Sequence, residues 1–522
     1  MNKLKLAGFL LIILPLEGFY VTSCVDSSIL KETCLSEGNR YEWSNFFGGS
    51  DLDCGSAIQQ TSDGGYIVVG DTFSYVPDPM NITGNGWLIK LDCFGNEEWN
   101  KTFEWNSSFR GHWYASFRDV QQTSDGGYII VGTLTVFHEG YPDRDIWVIK
   151  TDSDGNKIWD RFFYEGSDDF GVSIRQTSDG GFIVAGFSNS RALLVKLDEY
   201  GNKVWNRSFK RGKSNLFLSV RETGDDGFIV AGWAGEKGPR GFPGDYDFWL
   251  VKVDENGFEE WNKTYGGYVC RRAFGVEETR DHGYIVAGEF NYQINYYNWE
   301  QIIPGFEARV IKVDEHGNLE WERKLGKLTT YETCRGLCKT CDGKSFITIG
   351  YMDNPRDSFN HYDVWVTMLD EYGRILWERK IGGSEENWGY GVAPTGDGGC
   401  IVAGRIKQRG RHSDLFIVKI PDFYLNKPSS GGLYILDKEY PLPLSITPII
   451  IGGVTLNVSS SYDLSKVEFY IDDELRYVDE QPPFQWYWNR KSYGKHVLKA
   501  IGFVSTGETV SHAVEVFSIL NL

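Results

Sequence analysis

One pattern of apolar runs and polar turns recurs along most of the chain. An amphipathic stretch such as SIRQT precedes a Gly-rich turn and an apolar run such as FIVAG. A second apolar run such as LLVKLD, a turn and a Trp-containing stretch such as KVWNRSF follow. Short runs rich in β-branched and aromatic residues, separated by Gly, Asp and Asn, predict strands joined by tight turns. Each repeat therefore predicts four strands, here called A, B, C and D.

A Trp in strand D marks each repeat. These residues are Trp43, Trp99, Trp159, Trp205, Trp261, Trp321 and Trp377. Their spacing varies between 46 and 60 residues, as expected when loops of different length connect similar units. Strand B is apolar on both faces, so one sheet cannot cover it, whereas radially stacked sheets can. The chain is therefore predicted to be all-β, with a seven-bladed β-propeller over residues 40–420.

The two ends of the repeat region are complementary. The strand at residues 41–47 has no A, B or C strand before it, and the last unit, residues 391–420, has no Trp strand after it. We expect the N-terminal strand to serve as strand D of the last blade, since this closes the ring without an exposed edge.

These motifs resemble known repeats. The signals DGGYIVAG and IKLDxxGNxxW resemble the tandem propeller repeats of exported bacterial and archaeal proteins of unknown function, and the Trp after the Gly turn is similar to the outer-strand Trp of quinoprotein-type propellers. The resemblance covers residues 40–420. It implies the fold, and it carries over no ligand, cofactor or functional residue.

The termini predict further segments. Residues 1–24 have a basic start and an 11-residue apolar core at residues 6–16, which predicts a signal peptide and an exported chain. Residues 21–24 resemble a bacterial lipobox ending at Cys24, a candidate for lipidation; ordinary cleavage is the alternative. Residues 25–39 are expected to be a linker.

A second module is expected after the repeats. Residues 421–432 predict another linker, and alternating strands over residues 433–522 predict a small β-sandwich. The segments KVEFYIDD, PPFQW and GKHV resemble bacterial immunoglobulin-like modules, which implies a spacer or adhesion unit.

Composition narrows the choice of partners. The formal net charge of −19 argues against binding a nucleic acid backbone. The nine cysteines include Cys334, Cys338 and Cys341, but no matching pair completes a four-ligand zinc site, so packing thiols or a disulfide are favoured over metal. No metal, cofactor or catalytic residue is predicted. A membrane contact is expected only through a lipid anchor at Cys24.

The variable loops are the candidate functional surface. The B–C and D–A links are long and variable, whereas the A–B and C–D turns are short and uniform. The candidate ligand-binding residues in these links are Trp105, Trp113, Tyr114, Tyr246, Tyr296, Tyr297, Trp299 and Trp388. Carboxylates interleave with them, including Asp143, Asp168, Asp169 and Glu386. Aromatic and acidic side chains on a rigid scaffold favour a non-catalytic binding or adhesion protein for a glycan or protein ligand. The alternatives are an extracellular polysaccharide-acting enzyme and a purely structural envelope protein.

Overall fold

The computed structural model is all-β. It describes residues 43–74, 84–105, 113–138, 141–164, 166, 168–235, 246–266, 271–292, 305–326, 332–353, 362–382, 386–407, 412–422, 424–427, 432–435, 437–441, 447–460, 464–489, 491–504 and 509–520. The expected signal peptide, Cys24 and the linker at residues 25–39 lie outside the described residues.

The strands up to residue 420 form seven four-stranded antiparallel sheets in the described ranges, here sheets I to VII. Sheet I contains β2 (Asp53–Gln60), β3 (Tyr66–Thr72), β4 (Asn85–Leu91) and β5 (Glu97–Phe103). Sheet II contains β6 (Trp113–Gln122), β7 (Tyr128–His138), β8 (Tyr141–Thr151) and β9 (Lys157–Phe163). Sheet III contains β10 (Asp169–Gln176), β11 (Phe182–Ser188), β12 (Arg191–Leu197) and β13 (Lys203–Phe209). Sheet IV contains β14 (Ser214–Glu222), β15 (Phe228–Gly235), β16 (Tyr246–Val253) and β17 (Glu259–Tyr265).

The remaining three sheets of this region have the same order. Sheet V contains β18 (Arg271–Glu278), β19 (Tyr284–Tyr292), β20 (Gly305–Val313) and β21 (Leu319–Leu325). Sheet VI contains β22 (Gly336–Lys339), β23 (Ser345–Asp353), β24 (Tyr362–Asp370) and β25 (Ile375–Ile381). Sheet VII contains β26 (Glu386–Pro394), β27 (Cys400–Lys407) and β28 (Ser413–Ile420), together with β1 (Trp43–Phe47) from the other end of the chain.

The first strand of each sheet, strand A, faces a common centre. The A strands contact one another in an unbroken circle: β2 to β6, β6 to β10, β10 to β14, β14 to β18, β18 to β22, β22 to β26, and β26 back to β2. The sheets therefore surround a central channel lined by their A strands.

The circle is joined by contacts between distant parts of the sequence. Strand β1 pairs antiparallel with β28, with Trp43 opposite Lys419 and Phe47 opposite Leu415. The amide of Gly396 in sheet VII donates a 2.8 Å hydrogen bond to the side chain of Gln60 in sheet I. The N-terminal strand thus takes the position of strand D in sheet VII, as the incomplete ends of the repeat region led us to expect.

The A–B turns share one hydrogen-bond pattern. In sheet II the hydroxyl of Thr123, the amide of Gly127 and the ammonium of Lys150 all donate to the carboxylate of Asp125. Partial burial acts to raise the pKa of Asp125, but the hydrogen bonds from Lys150 and Thr123 outweigh it and lower that pKa to about 2. The same Lys–Asp pair recurs as Lys90–Asp63, Lys196–Asp179, Lys252–Asp225, Lys312–Asp281 and Lys419–Asp397. In six of the seven sheets the Asp of the A–B turn is therefore held to strand C by a Lys, whereas sheet VI has Met368 at the Lys position.

The repeat Trp residues pack between neighbouring sheets. The ring of Trp205 meets Phe228 of sheet IV edge-on, 6.2 Å between centroids. It also lies against Gly257, whose φ is +78° and where an added Cβ would come within 2.8 Å of the indole. The equivalent pairs are Trp43–Gly95, Trp99–Gly155, Trp159–Gly201, Trp261–Gly317 and Trp321–Gly373. Only Gly tolerates both this backbone conformation and this contact, which explains why Gly and Trp recur together.

Trp377 has a different neighbour, because sheet VII has no turn between β28 and the distant β1. It packs in an apolar cluster with Cys400 and is only 3% exposed. Cys400 takes the position at which the other six sheets carry Tyr or Phe. Its smaller side chain is compatible with the greater burial of Trp377 compared with the other repeat Trp residues.

The C-terminal strands form two sheets around a separate core. One sheet contains β29 (Tyr424–Lys427), β33 (Val454–Ser459) and β36 (Gln485–Trp488). The other contains, in spatial order, β31 (Lys438–Pro441), β30 (Gly432–Ile435), β32 (Ile449–Ile451), β38 (Thr509–Leu520), β37 (Ser492–Val504), β34 (Leu464–Ile471) and β35 (Glu474–Asp479). Leu456 and Trp488 of the first sheet share one apolar cluster with Phe469, Leu498 and Val516 of the second.

The expected linker at residues 421–432 contains secondary structure. Strand β29 pairs antiparallel with β33, so residues 424–427 belong to the C-terminal sheets. The Ser and Gly residues that suggested a linker come after β29 in the sequence.

Candidate functional site

The eight predicted ligand-binding aromatics do not form one site. Trp113 is 6% exposed and packs in the core of sheets I and II, where Trp105 packs partly buried against the same cluster. Trp113 has too little accessible surface to contact a ligand, and its assignment to the binding surface is corrected here. It begins strand A rather than lying in the preceding loop.

Tyr114 anchors one sheet to the next. Its hydroxyl donates a 2.6 Å hydrogen bond to the buried carboxylate of Asp71, and its ring stacks on Phe73 at 5.5 Å between centroids. The hydroxyl of Ser116 and the amide of Phe117 also donate to Asp71. Tyr114 therefore holds sheets I and II together at this position.

Tyr246 begins strand C of sheet IV, and Trp388 lies on strand A of sheet VII. Tyr246 packs against Trp233 at 4.4 Å between centroids. Trp388 carries the guanidinium of Arg405 over its ring at 4.0 Å and lies 6.1 Å from the ring of Tyr362. The other three predictions, Tyr296, Tyr297 and Trp299, lie outside the described residues.

The channel has two connected compartments. The A–B and C–D turns define one end of the channel, here the turn side; the opposite end, reached by the B–C and D–A links, is the loop side. A cavity of about 280 Å³ lies towards the turn side, and its wall includes residues from the A strand of each of sheets I to VII. A second cavity of about 170 Å³ lies closer to the loop side and is lined by Arg118, Phe274, Arg335 and Tyr390, among others.

Two ion pairs lie in the wall of the turn-side compartment. Arg175 lies 2.6 Å from the carboxylate of Asp119, and Arg221 lies 2.7 Å from that of Glu277. The four side chains come from neighbouring A strands, so the two ion pairs also connect sheets II to III and IV to V. This arrangement stabilises the ring, and Lys339 in the same wall adds a further positive charge.

A set of aromatic residues lies on the loop-side parts of sheets III to VII. They are on strands A, B and C, each is half-buried, and Phe274 and Tyr390 line the loop-side cavity. We call this set the aromatic collar: Phe170, Phe187, Trp233, Tyr246, Phe274, Tyr351, Tyr362, Trp388 and Tyr390. Half-exposed rings contribute large contact areas at low entropic cost, which makes the collar suited to binding.

The carboxylates on the loop side mostly hold other protein groups. Asp168 lies 2.7 Å from Arg144, and Asp169 accepts a 2.9 Å hydrogen bond from the amide of Gly166. Glu386 lies 3.5 Å from Lys407. Asp145 differs, because partial burial and the neighbouring carboxylates of Asp143 and Asp169 raise its pKa to about 6.

The described residues show no metal centre. No group of three or more His, Cys, Asp or Glu side chains in the described ranges is arranged to hold a metal ion. Cys334 and Cys338 are buried free thiols and Cys341 is an exposed one, whereas Cys93 is disulfide-bonded. The turn at residues 152–156, which faintly resembles a calcium loop, uses the Asp152 carboxylate to accept hydrogen bonds from Asp154 and Asn156. Among all the residues that the structure describes, no helix is long and apolar enough to cross a membrane.

Several collar residues and the nearby arginines were missed by the sequence analysis. Arg118, Arg335 and Tyr390 each stand five residues before the Thr that begins an A–B turn. Trp233, Glu289, Tyr351 and Arg405 each follow the Gly that ends the apolar run of strand B. These two columns vary between repeats while their neighbours are constant. Aligning the repeats and reading the variable columns within the strands would have found them.

Comparison with solved structures finds matches of low sequence identity, one of them a β-propeller domain. The β-propeller domain of the trilobed protease from Pyrococcus furiosus is 10% identical with a TM-score of 0.40, and the match covers 71% of this chain and 94% of that one. Puromycin hydrolase is 13% identical with a TM-score of 0.40, covering 74% of this chain and 52% of that one, so the chain matches about half of its length. A protein of unknown function from Dyadobacter fermentans is 11% identical with a TM-score of 0.40, covering 72% of this chain and 98% of that one.

These similarities concern the fold alone. No protein-family model matches the chain, and no curated protein matches its sequence. With its repeated four-stranded sheets around a central channel, the chain is a β-propeller repeat protein.

Proposed function

We propose that the chain is an exported, non-catalytic binding protein that presents the loop side of its propeller to a glycan or protein ligand. The observation that carries this proposal is the aromatic collar, a set of half-buried aromatic residues on the loop-side parts of five sheets, of which Phe274 and Tyr390 line the loop-side cavity. Binding usually occurs where variable residues are held by a rigid scaffold, and the collar residues vary between otherwise similar repeats.

The scaffold is proposed to be a closed propeller with seven blades, followed by an immunoglobulin-like sandwich. The unbroken circle of A strands and the pairing of β1 with β28 support the closed ring. Two sheets around one apolar core support the sandwich. In this arrangement the sandwich acts as a spacer or adhesion unit.

Export is proposed from two features. The composition of residues 1–24 is typical of a signal peptide. The disulfide at Cys93 fits an oxidising compartment, where such bonds persist. If Cys24 is lipidated, the protein is attached to a membrane by that anchor and otherwise is secreted.

Two double variants on opposite sides test the binding surface. The loop-side variant replaces Trp233 and Tyr246 by Ala, and the turn-side variant replaces Glu199 and Tyr200 by Ala in an exposed C–D turn. Binding is measured on glycan and peptide arrays with the mature protein, and circular dichroism verifies that both variants are folded. We expect loss of binding only in the loop-side variant. Loss only in the turn-side variant overturns the assignment, and a parent protein that binds nothing favours the structural envelope role.

An extracellular polysaccharide-acting enzyme is the second candidate. It is favoured by Asp145, since a carboxyl group with a pKa of about 6 beside other carboxylates suits general acid catalysis. Release of reducing ends from polysaccharides, abolished by Asp145→Asn, would establish this activity. Absence of hydrolysis by a protein that binds the same glycan would refute it.

A further inference from the structure

Two arginines line the loop side of the channel, and a third interacts with the same tyrosine. Arg118 and Arg335 both line the smaller cavity. Each stands five residues before its A–B turn, a distance of about 16 Å along the strand at the usual rise of about 3.3 Å per residue. Arg405, on strand β27, interacts electrostatically with Tyr390, which also interacts with Arg118 and Arg335. Tyr390 is therefore the common neighbour of three guanidinium groups from sheets II, VI and VII.

These guanidinium groups retain much of their hydrogen-bonding capacity. In the part of the chain that the structure describes, Arg118 is exposed and makes no direct hydrogen bond, and the buried Nε atoms of Arg335 and Arg405 have no partner. Arg335 bonds the Tyr351 hydroxyl at 3.1 Å and lies 3.3 Å from Glu289. A guanidinium carries five donors, so several remain for a ligand.

The orientation of two of the arginines is fixed by aromatic rings. The guanidinium of Arg405 lies 4.0 Å from the ring centroid of Trp388, and that of Arg335 lies 4.5 Å from that of Phe274. Stacking of this kind leaves the edge of the guanidinium plane available for a planar or tetrahedral anion.

The local charge is positive although the chain is acidic overall. Arg272, which is 3.5 Å from Glu289, brings the number of arginines here to four. The carboxylates near this group are those of Asp71, Glu289 and Asp53, which leaves an excess of one positive charge in a protein of net charge −19. The hydroxyl of Tyr390 stays protonated and can donate, because burial raises its pKa to about 12.

We infer that the loop-side end of the channel binds the carboxylate or sulfate group of an anionic saccharide, held by Arg118, Arg335, Arg405 and Tyr390, with the sugar ring against the aromatic collar. This inference rests on the proposed binding function. The cavity of about 170 Å³ is smaller than the ~300 Å³ at which pockets for drug-sized ligands begin, so it takes one charged group or sugar unit rather than a whole chain.

The test compares matched saccharides by isothermal titration calorimetry with the mature protein. The probes are oligogalacturonides against their methyl esters, and keratan sulfate against desulfated keratan, which contains no uronate, so the two pairs distinguish carboxylate from sulfate. We expect the charged member of at least one pair to bind at least tenfold more tightly. Arg118→Gln and, separately, Arg405→Gln should weaken that binding about 10- to 100-fold, as expected for loss of a charge-assisted hydrogen bond.

Arg374→Gln is the matched control. It removes the same charge from an exposed C–D turn on the turn side, where the side chain is 71% exposed, and should change binding less than twofold. Thermal unfolding verifies that all three variants are folded.

The outcomes separate this inference from the proposal on which it rests. Charged and neutral saccharides could bind equally well, with binding lost in the Trp233 and Tyr246 variant but kept in Arg118→Gln. That result overturns the anion site and leaves the binding function. Binding of acidic peptides instead of saccharides overturns the ligand class. Absence of any binding to saccharide or peptide overturns both.

Discussion

Replacing Lys419 by Met would measure how strongly a buried ion pair stabilises the last sheet. The ammonium of Lys419 lies 2.8 and 3.0 Å from the two carboxylate oxygens of Asp397, and the two side chains are 0% and 12% exposed. Met fits the site sterically, because Met368 occupies the equivalent position of sheet VI, opposite Trp377 as Lys419 is opposite Trp43. The substitution therefore removes a charge while nearly conserving volume.

The expected loss follows from the burial of Asp397. Removing one partner of a buried ion pair costs about 3–5 kcal/mol, since the remaining charge is left uncompensated. Lys196→Met in sheet III is the matched control: its partner Asp179 is 63% exposed, so water can replace the ammonium. Exposed pairs contribute about 0–1 kcal/mol, and the control should lose no more than that.

Guanidinium titrations followed by Trp fluorescence would give the free energy of unfolding of the propeller transition. The double variant Lys419→Met with Asp397→Asn should regain most of the loss, because the orphaned charge is gone. Equal losses in Lys419→Met and Lys196→Met, or no recovery in the double variant, would refute the reasoning.

Three further predictions concern the ring, the C-terminal sheets and acid stability. Deleting residues 40–47 should uncover the edge of β28, which now pairs with β1, and cause aggregation or a large drop in melting temperature; a deletion variant as stable as the parent argues against closure. Residues 421–522 should fold alone by circular dichroism, and a fragment starting at residue 433 should melt lower because it lacks β29; an unfolded longer fragment argues against independence. Partial burial acts to raise the pKa values of four turn carboxylates, but hydrogen bonds from Lys and Thr outweigh it and lower them to about 2; the four are Asp125, Asp179, Asp225 and Asp281. The stability that these ionised carboxylates contribute is present above about pH 4 and is lost as the pH falls towards 2. Melting temperatures between pH 5 and 2 should fall less steeply when all four are replaced by Asn, and an unchanged slope would contradict this.

The sequence specified the sheets because each signal acts locally. Asp125 and Gly127 form their turn with Thr123, only a few residues away, so the motif itself predicts the hairpin. The pairing of Trp43 with the last sheet was also predictable, since two incomplete ends were the only unmatched parts of the repeat. The turn was predictable because its motif repeats along the chain, and the closing strand was predictable because the two incomplete ends complement each other.

The channel was harder to predict, since its neighbours are distant in sequence and differ between repeats. Arg118 and Arg335 share a cavity although three sheets, III to V, lie between them along the chain. Trp113 was misjudged for the opposite reason: its aromatic character suggested a binding loop, but it is the first residue of strand A in sheet II, and its ring packs in the core. Composition alone does not distinguish a ring that packs from one that binds.

The composition of the loops does not show which of their charged groups are already paired. Counting side chains in the loops gave an aromatic and acidic surface, yet Asp168 and Asp169 are engaged by Arg144 and a backbone amide. At the channel the arginines have donors left over, whereas the carboxylates near them already accept hydrogen bonds or ion pairs. The chemistry offered to a ligand is set by the groups that the fold leaves unpaired, and here those groups are cationic despite a net charge of −19.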